Sequence, residues 1–390
     1  MTMPSFQHLT TPLRLFHGAD SLGQLGRELD RAKSTRAVIF CGSTLAREGS
    51  PLSLVREAMG DRCAGVFAGV RAHSPVPSVE AGARELARLR ADAVIAVGGG
   101  SAIVTARAAS ILLAEKNDAR NLCTSLDDKG QLNSPKLLAA KLPQLVIPTT
   151  PTTAAVKAGS AVLDPEAGRR LALFDPKTRA QAIFIHPALI GTAPRALVAS
   201  ASLDTFTLAL EGLISRTGNP LSDALLMHAL RLLASHLPNG SLLDDAAVRG
   251  ELSLAAVLCG QGTDFTGAGV ATVLGHAVGA QFGFDNGITK AVVLPHVLRF
   301  NADAAKIALG KVAAALGLQV SGGETVDAVI AAVNAMTRAL GIPQRLRDIG
   351  LAHDALQGIA ESSMSDWFLR GNPRRVSSES ELMQVLEAAW

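Results

Sequence analysis

The sequence predicts a chain in two parts, an α/β domain built on a largely parallel sheet followed by an all-helical domain. Three observations predict it. From about residue 20 to 190, short β-branched runs alternate with amphipathic helical stretches, the pattern of a sheet with helices on its faces. After Pro187 the β-branched runs vanish and Ala/Leu-rich periodic stretches continue to the C-terminus. The length of 390 residues, 48% of them hydrophobic, suffices for two cores. The expected boundary divides residues 1–191 from 192–390.

The clearest strands are Ala37-Val38-Ile39-Phe40, Ala93-Val94-Ile95-Ala96-Val97 and Leu145-Val146-Ile147. Such continuous apolar runs suit strands buried on both faces of a parallel sheet. Between them lie helical stretches such as Val79 to Leu89, with Ala81, Leu86 and Leu89 at helical spacing. In the second half, Leu221 to Leu237 and Ala304 to Leu316 are helical. They are separated by Asn-Pro, Pro-Asn-Gly and Gly-Ile-Pro breakers.

Composition excludes several functions. Lys and Arg number 37 against 34 Asp and Glu, a net charge of +3 without a basic block, so nucleic acid is not an expected partner. Cys41, Cys63, Cys123 and Cys259 are scattered, with no zinc-type spacing, and are expected as free thiols in a reducing compartment. The N-terminal Met-Thr-Met-Pro-Ser-Phe-Gln-His lacks the features of a leader, and no uninterrupted apolar stretch is long enough to span a bilayer. The expectation is a cytoplasmic protein without a membrane partner.

The strand Ala93 to Val97 runs into Gly98-Gly99-Gly100-Ser101, and a helical run, Ala102 to Ala114, follows at once. Glycines let a backbone approach a pyrophosphate, and the N–H groups and dipole of the helix N-terminus attract it, with the Ser101 hydroxyl as a further donor. A tight turn without a ligand is the alternative. The loop's place at the C-terminal end of a buried strand, where open α/β sheets bind ligands, favours the phosphate site. A second strand end, Pro148-Thr149-Thr150-Pro151-Thr152-Thr153, offers hydroxyls for a ribose or an amide.

Together with Asp204 in a helical run and Leu294-Pro295-His296-Val297-Leu298-Arg299-Phe300-Asn301, these two loops resemble the iron-containing alcohol dehydrogenase family over nearly the whole chain. Gly65-Val66-Phe67-Ala68-Gly69-Val70 and Asn372-Pro373-Arg374 look closest to its maleylacetate reductase branch. The resemblance implies a Rossmann-like dinucleotide-binding domain over 1–191 and a helical catalytic domain over 192–390, the fold shared with dehydroquinate synthase. It also implies hydride transfer with NAD(H) or NADP(H) to or from a small-molecule substrate, in a homodimer. Carried over by motif, Gly98, Gly99, Gly100 and Ser101 hold the pyrophosphate, and Thr149 and Thr153 line the cofactor cleft. Gly42 stands where relatives often carry the acid that bonds the ribose 2′-hydroxyl, so NADPH meets no repulsion there.

The family's metal ligands, by the same resemblance, are one Asp and three His. Asp204 is present, but the other positions fall on Leu208, Thr272 and Asn286. One carboxylate, a hydroxyl and an amide make a poor site for Fe²⁺ or Zn²⁺, so no metal is expected. Asp204 is then open to a second reading, an early-helix acid favoured by the dipole after Ser200 and Ser202.

Without a metal, the polarising and proton-donating roles must fall to side chains. By the same resemblance His276 corresponds to a family histidine near the nicotinamide and is the candidate general acid, a packed, hydrogen-bonded histidine being the alternative. Lys290 is the candidate cation near the vacated metal position, although a solvated surface lysine is the bland alternative, and Asp204 is the third residue assigned to the catalytic site. Lys157 is a weaker candidate, and Arg107 is expected at a cofactor phosphate or in a local ion pair. His296 is expected to be structural. The chain contains no Tyr, which removes Tyr-Lys proton donation. The leading expectation is a metal-independent NAD(P)H-dependent reductase of a small carbonyl or unsaturated oxo-acid. A lyase or isomerase on the same scaffold and a non-catalytic homologue are the alternatives.

Overall fold

The computed structural model describes residues 5–126, 132–320 and 322–390. It divides into two compact units, Pro12–Ala193 on one hand and Met1–Thr11 with Pro194–Trp390 on the other.

The first unit carries strands β1 (Arg14–His17), β2 (Ala37–Gly42), β3 (Cys63–Val70), β4 (Ala93–Gly98), β5 (Cys123–Leu126), β6 (Leu132–Asn133), β7 (Gln144–Pro148), β8 (Gly159–Asp164), β9 (Arg169–Phe174) and β10 (Ala180–Ile185). Its helices are α1 (Leu25–Arg31), α2 (Leu52–Met59), α3 (Val76–Arg88), α4 (Gly100–Glu115), α5 (Ala119–Leu122) and α6 (Pro187–Ile190). Six strands form one parallel sheet in the order β1-β10-β7-β4-β2-β3. Its central strands β2, β4 and β7 are buried almost throughout, which is why they are apolar without alternation. Ile39, Ile95 and Leu145 pack with Leu25, Leu29 and Val55 of α1 and α2, while Phe40 on the other face reaches α3, close against Gly82. The chain leaves β2 for β3 on one side and returns to β4 on the other. Parallel sheets bind ligands beyond the strand ends at such a reversal.

A second sheet, order β6-β5-β9-β8, is antiparallel. Along β8, Ser160, Val162 and Asp164 are buried and the residues between them face outward, the alternation of a one-sided sheet.

The second unit holds α7 (Arg195–Ile214), α8 (Pro220–His236), α9 (Ala246–Thr266), α10 (Val270–Phe282), α11 (Asn286–Asn301), α12 (Lys306–Ala315), α13 (Thr325–Ala339), α14 (Leu356–Ser363) and α15 (Glu379–Ala389). Local chemistry sets their starts. Asn219 accepts from Leu221 and Ser222 in a capping box ahead of Pro220, and Asp285 caps α11 by accepting from the Ile288 N–H. By composition α7 is long and apolar enough to cross a membrane, but 78% of its most apolar window is buried inside the fold. It packs against α8, α9 and α11 and is the core helix of this unit.

Candidate active site

In the α/β unit, the glycine loop and the Pro-Thr-Thr loop meet because β4 and β7 are neighbours with Gly98 opposite Pro148. The Thr149 N–H donates to the Gly98 carbonyl at 3.0 Å, tying the loops together. Gly98 has φ +150°, a conformation that disfavours side chains, and a Cβ on Gly99 would lie 3.0 Å from the Thr150 hydroxyl. The loop backbone is therefore bare by necessity. Helix α4 starts at Gly100 with no side chain capping it, so its first N–H groups face the end of the sheet. The Ser101 hydroxyl accepts from the His73 N–H at 3.2 Å and keeps its proton for donation. Thr149 is buried, while Thr153 is half-buried in a short turn whose cap is the Thr152 hydroxyl. Gly42 ends β2, next to β4 in the sheet, and a Cβ there would meet nothing within 4 Å.

Arg107 is not at a phosphate. Its side chain is fully buried, and its guanidinium donates to the carbonyls of Gly159 and Ala154 at 2.6 Å and to Gln144. It lies two turns inside α4 and braces the chain after the Pro-Thr-Thr loop, a structural role that its sequence position near the glycine loop conceals. Lys157 is half-buried in the segment that Arg107 holds.

In the helical unit, α7, α10 and α11 bring the remaining candidates together. Asp204 lies in the third turn of α7 rather than the first, because the helix begins at Arg195; the helix-dipole explanation for this acid therefore fails. Its carboxylate meets the Lys290 ammonium at 2.7 Å. Lys290 is no solvated surface lysine: its side chain is 2% exposed, against 30% for Asp204. Thr272, in the first turn of α10, donates its hydroxyl to Glu211 at 2.6 Å. Glu211 also accepts the backbone N–H groups of Ala271 and Thr272. Burial pushes the Glu211 carboxyl above its ordinary value, against the hydrogen bonds and the Lys290 charge that pull it down. Asn286 stands at the start of α11, one turn before Lys290, and Leu208 lies one turn after Asp204.

His276, one turn after Thr272 on α10, is half-buried, and its Nδ1 lies 3.0 Å from Asp366 Oδ2. Asp366 also accepts from the Phe368 N–H. Neither Asp366 nor Glu211 stands out in the sequence, and no local spacing announces them. Among the described residues, no three His, Cys, Asp or Glu side chains converge as metal-binding groups do.

On another part of α11, His296, Arg299 and Arg345 line a cavity of about 370 Å³ with Asn334 and Gln344. None of the predicted site residues reaches it. Burial, reinforced by Arg345, holds the His296 imidazole below its ordinary value.

Comparison with known proteins covers both units. Residues 12–187 match the family model described as iron-containing alcohol dehydrogenase, and residues 198–390 match the C-terminal model of the same family. Lactaldehyde reductase of Escherichia coli (strain K12) is 31% identical over 379 residues, spanning 96% of this chain and 97% of that protein. The crystal structure of a 1,3-propanediol oxidoreductase superposes with a TM-score of 0.89 at 25% identity, over 99% of this chain and 100% of the other. Maleylacetate reductase from Agrobacterium tumefaciens, 22% identical over 100% of this chain and 99% of its own, shares the fold with a TM-score of 0.80.

Proposed function

The chain belongs to the iron-containing alcohol dehydrogenase family, and from that premise we propose that this oxidoreductase uses NADH or NADPH, without a metal, to reduce a small carbonyl compound or an unsaturated oxo-acid. The observation that carries the reading is the cradle at the end of β4. There Gly98, Gly99 and Gly100 present bare backbone, the N-terminus of α4 is uncapped, and the Thr149 segment is bonded alongside. These features fit a pyrophosphate, with Ser101 as an added donor and Thr149 and Thr153 beside it. When bound, the nicotinamide supplies the hydride.

The iron of the family's name does not fit these residues. Of the four positions that the resemblance assigns to ligands, Leu208 has no donor atom. The Thr272 hydroxyl is engaged by Glu211, and the Asp204 carboxylate by Lys290. Asn286 offers only a neutral amide. His276, oriented by Asp366, delivers the proton to the oxygen of the reduced product.

The test is a fluorescence titration of NADH and NADPH into chelator-treated protein, followed by a panel of lactaldehyde, simple aldehydes and maleylacetate monitored by nucleotide absorbance. Saturable binding unaffected by chelation, with one nucleotide oxidised per substrate molecule reduced, is the expected result. Failure to bind either nucleotide overturns the reading. Turnover without net nucleotide consumption replaces it with a lyase or isomerase.

A further inference from the structure

An ammonium taken out of water is tolerated only when it is paired, and the chain has gone to some length to keep one at Lys290. Helix α11 reaches α7 through Gly287, whose missing side chain leaves space that the Ser200 carbonyl fills. A Cβ on Gly275 of α10 would lie 2.6 Å from Cγ and 3.0 Å from Cε of Lys290, so that glycine makes room for the lysine stem. The result is the 2.7 Å contact between Nζ and Asp204 Oδ1 at a side chain 2% exposed. The other acids that face this ammonium are already occupied. Glu211 is held by Ala271 and Thr272, and Asp366 by His276 and Phe368.

We propose that the Lys290 ammonium is a tethered replacement for the metal ion of this family, an inference that rests on the reductase reading above. A divalent ion would have to take the Asp204 carboxylate at about 2.0–2.2 Å, which would set two cations side by side on one acid. The ammonium supplies Asp204 with its counter-charge, excludes a second cation, and provides fixed positive charge where the substrate oxygen becomes negative. A reduced nicotinamide, when held by the glycine loop, would supply the hydride to the carbonyl carbon and would itself be oxidised. The C=O electron pair moves to oxygen, and the oxygen takes its proton from His276.

Two experiments test this. In the first, Leu208→His and Asn286→His are introduced together, with and without Lys290→Ala. Each protein is stripped with chelator, dialysed against Co²⁺, and assayed by elemental analysis, visible absorption and circular dichroism. The wild type and the double variant are expected to remain free of stoichiometric metal, whereas the triple variant takes one ion per chain. Stoichiometric cobalt with Lys290 in place overturns the proposal, as does a folded triple variant that takes none.

In the second, Lys290→Ala alone is assayed with lactaldehyde and nucleotide in the presence of chelator. The expected kcat falls on the order of 100-fold or more, nucleotide affinity is unchanged, and added ethylammonium restores part of the rate where sodium at equal ionic strength does not. A wild-type kcat in this variant overturns the proposal. If the wild type binds nucleotide yet reduces no carbonyl, the reductase reading falls, and the cobalt experiment alone decides whether the ammonium holds the metal's place.

Discussion

The Nδ1 of His276 lies 3.0 Å from Oδ2 of Asp366, ninety residues further along the chain, and this contact orients the imidazole ring. Asp366 acts through His276 and is a positioning residue. His276→Gln is expected to lower kcat on the order of 100-fold or more, and Asp366→Asn by less. Because the two act as one unit, the double variant should be no slower than His276→Gln alone. Single-turnover kinetics with nucleotide affinity as a control measures this; strictly multiplicative losses would show that the residues work independently.

The same pair sets an acid limit on stability. Burial would raise the Asp366 carboxyl, but the hydrogen bond and charge of His276, the Phe368 N–H and the Lys290 charge outweigh it and hold the group below the ordinary carboxylate range. A carboxylate with a lowered folded-state value stabilises fully above its unfolded value, about 3.9. That contribution is lost as pH falls through the folded value. Urea midpoints between pH 6 and pH 3 are therefore expected to fall less steeply in Asp366→Asn than in the wild type. Parallel slopes would contradict the linkage.

Gly275→Ala places a methyl group against the Lys290 stem. Overpacking of this kind costs about 1–3 kcal/mol, and here it also presses the ammonium away from Asp204. Urea denaturation should show the loss in the single variant and a partial recovery when Lys290→Ala is added, since the shorter side chain vacates the space. Additive effects of the two substitutions would mean that the glycine is small for another reason.

The legible parts of this molecule are those written in local pattern. Ala37–Gly42, Ala93–Gly98 and Gln144–Pro148 are strands because continuous apolar runs bounded by Gly and Pro suit no other element of that length. The glycine loop is legible for the same reason. The antiparallel sheet of β5, β6, β8 and β9 is not, since its short strands alternate too briefly to stand out between loops. At the candidate site, Asp204 and His276 are visible through the family pattern, while their partners depend on tertiary contact alone. Nothing in Phe284 to Lys290 distinguishes a buried ammonium from a solvated one. That distinction lies in Gly275 and Gly287, which only the packing of α10 and α7 against α11 connects to it. Arg107 misleads for the opposite reason: it is close in sequence to the phosphate loop, but its place on α4 turns its side chain into the fold, where it is fully buried.

Gly42 offers a test of the cofactor reading that does not involve the helical unit. It ends β2 in register with Val70 of β3, beside the glycine loop of β4, with open space where a side chain would project. An acid at such a strand end bonds the ribose 2′-hydroxyl of NAD and repels the phosphate of NADP. Arg71, the residue after β3, is exposed at the same edge, where its positive charge would favour such a phosphate. Gly42→Asp should therefore shift the NADH-to-NADPH affinity ratio toward NADH by about 10-fold or more, equivalent to about 1.4 kcal/mol, with no loss of stability because the new side chain meets no neighbour. Parallel titrations of both nucleotides measure the ratio. An unchanged ratio would place the adenosine ribose away from the end of β2 and remove the argument that this chain accepts NADPH.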